Sequence, residues 1–297
     1  MPPVPMSALM APQSLPHDGD LLLRAADWTG QHALVLFLVS LIGLVALSWG
    51  VWRMASRWAA SRRPLLSNPW LAFALRLVAA FGVIVGGAAV FAEIADKLGT
   101  GRRMGLADQA FTDALSRSVP LEALQVFAAL TRLGDTVTLV GLCVLVALLL
   151  CWRGRIGLAV AWVMTVAGGG LLNTTLKHVF ARVRPIHDDG LVQADGFSFP
   201  SGHSSGSVVV YGMLAYLALR LLPARWHGPV ALLMLALACT IGASRMFLRV
   251  HFASDVLAGL ALGLAWLGAS VISIELARWW GRRRKRQGAQ GERAMTD

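Results

Sequence analysis

Seven runs of about twenty mostly apolar residues recur along the chain, at Ala33 to Trp52, Leu71 to Phe91, Gly134 to Trp152, Ile156 to Leu176, Ser205 to Leu222, Pro229 to Arg245 and Val256 to Ile274. A bilayer core of about 30 Å is crossed by about 20 residues at 1.5 Å per residue, and the helix is the structure that satisfies its own backbone there. The chain therefore reads as an all-α, polytopic transmembrane bundle. Composition agrees, since 56% of the 297 residues are hydrophobic and only 14% are charged, which excludes two ordinary soluble domains. The first run follows about thirty mixed residues that include Asp18, Asp20 and Asp27, so it reads as a retained helix rather than a cleaved signal peptide.

The net charge of +11 could suggest a nucleic-acid partner, but the basic residues are scattered between apolar runs, where they act as topology signals. With the N-terminus outside, 16 of the 27 basic residues fall on the inner side and 13 of the 16 acidic residues on the outer side. This asymmetry predicts N-out and C-in, with the basic tail from Arg282 to Arg286 as an inner anchor that can also meet anionic headgroups. Cys143, Cys151 and Cys239 all lie in apolar runs, with neither a disulfide framework nor metal-ligand spacing. Between the second and third runs, Glu93 to Leu133 reads as a long outer loop with two apolar-periodic stretches broken by Pro120.

The outer ends of the fourth to seventh runs are rich in ionisable residues, on the face that topology rules keep poor in positive charge. In LKHVFARVRP, Lys177 and Arg184 are seven residues apart; on one helix ended by Pro185 they would share a face and converge on an anion. The alternative is a pair of snorkelling cations. In FPSGHSSG, a Ser-Gly turn opens the fifth run, leaving free N–H groups at a helix start suited to phosphate; Gly202 admits close approach and His203 could give up a proton. An ordinary Ser-capped helix is the plainer reading. In ASRMFLRVHFASD, His251 and Asp255 at i, i+4 would stack on one helix face, so that the carboxylate orients the imidazole and frees its other nitrogen as a nucleophile. A satisfied surface pair is the plainer reading here.

All three segments fall on one face of the membrane and supply complementary parts of one reaction. Lys177 to Pro185 matches KxxxxxxRP, Pro200 to His203 matches PSGH, and Ser244 to Asp255 matches SRxxxxxHxxxD. The chain thus resembles the type 2 phosphatidic acid phosphatase and vanadium haloperoxidase superfamily over about residues 70 to 275. The resemblance implies a six-helix phosphatase core plus one extra N-terminal helix. The expected organisation is a non-core segment at 1–32, the extra helix and a basic loop at 33–69, the phosphatase domain at 70–277 and a basic tail at 278–297.

The resemblance also implies a lipid phosphatase. His251 would be the nucleophile oriented by Asp255, and His203 the acid for the leaving oxygen. Lys177, Arg184, Ser201, Gly202 and Arg245 would bind phosphate, with no metal and no other cofactor. Expected substrates are lipid phosphates or diphosphates of the undecaprenyl diphosphate, phosphatidic acid or phosphatidylglycerol phosphate type. Asp188, Asp189 and Asp195 could shape the choice of headgroup. The expected partners are this lipid substrate and membrane lipids, with no nucleic acid and no obligatory protein. The expected setting is a bacterial inner membrane with the site on its outer face. The haloperoxidase branch is soluble and fits seven apolar runs poorly, and a non-catalytic lipid-phosphate binding or flipping protein is the other reading.

Overall fold

The computed structural model describes residues 21–61, 69–100, 102–185 and 191–294, which form ten α-helices and no strand. A short helix α1 (Leu21–Gln31) precedes α2 (Ala33–Ser61) and α3 (Pro69–Thr100). Two further short helices follow, α4 (Arg102–Ser118) and α5 (Leu121–Thr131). The remaining five are α6 (Thr136–Trp152), α7 (Ile156–Phe180), α8 (Gly202–Leu221), α9 (His227–Phe247) and α10 (Ala253–Ala294).

Six helices are long and apolar enough to span a bilayer, namely α2, α3, α7, α8, α9 and α10. A seventh is obtained if the segments Leu121–Gly134 and Thr136–Trp152, bent by 43°, count as one. The third apolar run is therefore preceded by a bend. A 3₁₀ turn at Arg132–Gly134 and an extended Asp135 precede α6, which alone has 17 residues. The expected outer loop is mostly helical, because α3 continues through Thr100 and the two periodic stretches become α4 and α5 on either side of Pro120. Helix α1 was not visible as a separate element in the mixed N-terminal stretch. It is tied to α4 by Arg117 to Asp27 (2.6 Å), and Gly30 lets the two helices approach so closely that a Cβ there would lie 2.5 Å from that of Ala114.

Helix α8 sits at the centre, with most of its residues buried. Trp162 of α7, fully buried, packs with Val210, Met213 and Leu217 of α8, and its ring N–H donates to the Cys143 carbonyl (2.9 Å). Gly259 and Gly263 on α10 allow contact with α8: added Cβ atoms would lie 2.6 Å from the Ser201 carbonyl oxygen and 2.8 Å from Val208 Cβ. Small residues four apart are how helices pack closely when lipid gives no hydrophobic driving force between them. The tight α8–α10 seam fixes the two segments that carry His203 and His251.

Candidate active site

One end of the bundle gathers the C-termini of α7 and α9 with the N-termini of α6, α8 and α10. At this end the three segments singled out above meet around a cavity of ≈ 500 Å³ lined by Lys177, Arg184, Gly202, His203, Arg245 and His251. Its deeper wall is apolar, with Leu139, Val140, Val166, Val209 and Val210. Asp255 lies outside the lining and is fully buried behind His251. Ser201 is also fully buried and outside the lining; as the N-cap of α8 its hydroxyl accepts from the Ser204 N–H (3.4 Å), and it accepts from the Ser204 hydroxyl as well (2.9 Å). Asp188 and Asp189 lie outside the described residues, whereas Asp195 lines the cavity.

Two local expectations are corrected. Lys177 and Arg184 do not share a helix: α7 ends at Phe180, Ala181 turns left-handed (φ 46) and its N–H caps the Lys177 carbonyl (2.9 Å). Pro185 therefore follows the helix end instead of making it. Arg184 lies in the extended segment beyond, held by the carbonyls of Val250 (2.7 Å), Gly196 (3.0 Å), Asp195 (3.0 Å) and Phe197 (3.3 Å). The second correction concerns His251, which precedes α10 in a tight turn. The Arg245 carbonyl there accepts from the N–H groups of both Val250 and His251 (3.2 Å each), and Arg249 has φ 53. Asp255 is in the first helical turn, so the pair straddles a helix start.

This turn determines what the imidazole can do. Arg184 Nη1 donates to His251 Nε2 (3.0 Å). A guanidinium cannot accept, so Nε2 must carry the lone pair and Nδ1 the proton. Nδ1 faces Asp255 Oδ2 across 3.4 Å, and the same oxygen takes the Phe252 N–H (3.0 Å). Burial, with His251 only 2% exposed, pushes its pKa down to about 3 against the opposing carboxylate, helped by the nearby Arg184 charge. At neutral pH the ring is uncharged and its Nε2 lone pair is available. Burial also lowers the pKa of Arg184 from its usual value.

The three cations on the cavity wall have little to balance them. Lys177 Nζ bonds the Phe197 carbonyl (2.6 Å), and Arg245 Nη1 bonds the Thr131 hydroxyl (2.8 Å) while its buried Nε has no partner among the described residues. Among the described residues, no carboxylate lies within ion-pair distance of Lys177, Arg184 or Arg245. Concentrating partly buried positive charge with no carboxylate in ion-pair contact is costly unless an anion completes the set. The start of α8 faces the same space, adding unpaired N–H groups and the positive end of its dipole. Among the described residues there is no cluster of side chains that could hold a metal ion.

Sequence reasoning left three functional candidates without a role. Asp135 Oδ1 lies 2.8 Å from His203 Nε2, making a second Asp–His pair. The amide of Asn173, on α7, donates to the Pro200 carbonyl (3.4 Å) and lines the cavity beside Gly202. Arg182 bonds Asp255 Oδ1 (2.6 Å). The local signals were Asp135 at the edge of an apolar run, where an acid suggests a helix start and nothing more, and Arg182 among the outer basic residues near Lys177 and Arg184, which pointed to no particular partner.

The family model described as the PAP2 superfamily matches residues 157–279. Phosphatidylglycerophosphatase B of Bacillus subtilis is 34% identical over 142 residues, which cover 47% of this chain and 70% of that one. A lipid A 1-phosphatase of Rhizobium johnstonii is 32% identical over 164 residues, with 46% of this chain and 62% of that relative covered. The crystal structure of a transmembrane PAP2 type phosphatidylglycerolphosphate phosphatase from Bacillus subtilis superposes with a TM-score of 0.59 at 29% identity. That match covers 64% of this chain and 94% of the other. The chain is a multi-pass membrane protein that belongs to the PAP2 superfamily.

Proposed function

We propose that this protein is a metal-independent lipid phosphatase that cleaves a lipid phosphate or diphosphate monoester through a phosphohistidine. The observation that carries this reading is three cations without carboxylate partners gathered around the Nε2 lone pair of a buried, neutral His251. A cavity that is cationic at the membrane face and apolar below suits a phosphate attached to a lipid chain.

In the proposed reaction, phosphate enters among Lys177, Arg184, Arg245 and the α8 N-terminus, taking over the Arg184 guanidinium from His251. Nε2 then attacks phosphorus in line and the bond to the leaving oxygen breaks. His203, protonated as the anionic phosphate enters, gives its proton to that oxygen; with Nε2 held by Asp135, the donor is Nδ1, which has no bond among the described residues. His203 next takes a proton from water as the water attacks phosphorus, which breaks the N–P bond and releases phosphate. The cations act by holding the three phosphoryl oxygens as charge shifts among them. The phosphatase domain is placed at 70–277, and positive-inside counting puts the site on the outer face with the C-terminus inside. The side chains of the basic tail beyond Arg283 lie outside the described residues.

The test is phosphate release in detergent, with chelator present, by wild type and His251→Ala. The panel contains undecaprenyl diphosphate, phosphatidic acid, phosphatidylglycerol phosphate, lipid A and a soluble ester. Release by wild type alone is expected, and its preferred member names the substrate. Equal release by His251→Ala contradicts the mechanism, and headgroup binding without release by wild type points to a non-catalytic binder.

A further inference from the structure

Behind His251, and outside the cavity lining, lies a paired cluster of which the three motif roles use only Asp255. Arg182 Nη1 donates to Asp255 Oδ1 (2.6 Å) and to the Ser254 hydroxyl (2.7 Å), and Nη2 to Asp108 Oδ2 (2.8 Å). Its guanidinium lies 4.2 Å from the ring centroid of Phe252, the residue after His251. Asp108, on α4, also accepts the Ser254 N–H (3.2 Å) and the Ser254 hydroxyl, so it caps the start of α10 from 146 residues away. Asp108 is 6% exposed and Asp255 0%.

We infer that Arg182 and Asp108 form a positioning pair that aims Asp255 at His251. This inference rests on the reading of His251 as the nucleophile. Asp255 touches His251 through a single long contact of 3.4 Å from Oδ2, so the carboxylate's rotation decides whether Nδ1 is held at all. Arg182 fixes the opposite oxygen, and Asp108 fixes Arg182. A planar fork can hold Asp108, Asp255 and Ser254 together, which a lysine ammonium cannot do with the same directions. Neither residue of the pair lines the cavity, so neither acts on phosphate directly.

Arg182→Lys, Arg182→Ala, Asp108→Asn and His251→Ala are compared for kcat, KM, inhibition by inorganic phosphate and thermal melting. Arg182→Lys keeps the buried charge and decides the matter if Arg182→Ala does not fold. Its kcat is expected to fall about tenfold to a hundredfold, the range for partners that orient a working imidazole. KM and the phosphate inhibition constant should stay within about twofold, because the cavity cations are untouched. Asp108→Asn added to Arg182→Lys should cost little more, since both act through one carboxylate. Millimolar guanidinium should restore part of the activity of a folded Arg182→Ala. A kcat for Arg182→Lys within about threefold of wild type overturns the inference, as does a loss of phosphate inhibition in step with kcat. Undiminished release by His251→Ala instead overturns the underlying mechanism and removes the basis of the inference with it.

Discussion

Replacing Arg184 by alanine separates catalysis from scaffolding at this site. In the resting protein its guanidinium bonds four carbonyls and the His251 Nε2, so substrate must draw it from the nucleophile onto a phosphoryl oxygen. Loss of one preorganised donor to a developing anion costs about 2.7–4 kcal/mol of transition-state stabilisation, or a hundredfold to a thousandfold in kcat. The carbonyls it leaves are partly covered, since Phe197 keeps the Lys177 ammonium at 2.6 Å and the side chain is only half-buried, so stability should fall by about 1–3 kcal/mol. Arg184→Lys keeps the charge and should retain an intermediate rate. Phosphate release is measured at saturating and at low substrate, with thermal melting on the same samples. Turnover within tenfold of wild type in both regimes, from a normally melting Arg184→Ala, would refute the role given to this cation.

The remaining predictions use other parts of the site. A Cβ at Gly134 would lie 2.4 Å from Ile241 Cγ2 and 2.9 Å from His203 Cδ2, so Gly134→Ala should cut kcat at least about tenfold by displacing the acid, an overpacking effect. Gly141→Ala, which meets nothing within 4 Å, serves as the silent control. The pKa of His251 is about 3 when folded and near 6.5 when unfolded, so the unfolded chain binds more protons between these values. Folding stability from this group is therefore complete above about pH 6.5 and is lost as pH falls towards 3; melting scans at pH 7.5 and 5 should show a smaller acid loss in His251→Asn than in wild type. In a background without Cys143, Cys151 and Cys239, a cysteine at Gly190 should react with an impermeant thiol reagent on intact cells and one at Gly288 should not. The opposite pattern would invert the topology.

Much of this was legible because membrane spans and motif residues leave strong linear signals. All seven apolar runs became helices that begin within three residues of their expected starts, but α2, α3 and α10 run on well past the expected ends, to Ser61, Thr100 and Ala294, and Pro120 separates α4 from α5. Residue types at fixed spacing brought Lys177, Arg184, His203, Arg245 and His251 to one cavity before any geometry was known. Local conformation was harder to read. Nothing in KHVFARVR announces a helix end at Ala181, since alanine favours helix and the left-handed turn there is imposed by distant partners of Arg182 and Arg184. Asp108 and Asp135 went unassigned because their partners, Ser254 and His203, lie 146 and 68 residues away, beyond any helical or strand period.

The central claim is that His251 becomes covalently phosphorylated. Wild type mixed with substrate labelled with ³²P in the cleaved phosphoryl group, then quenched in alkali within the first turnovers, should carry label that is stable to base and released by mild acid. His251→Ala should carry none, and label in His251→Ala equal to wild type, or a wild type that turns over without ever being labelled, would contradict the account.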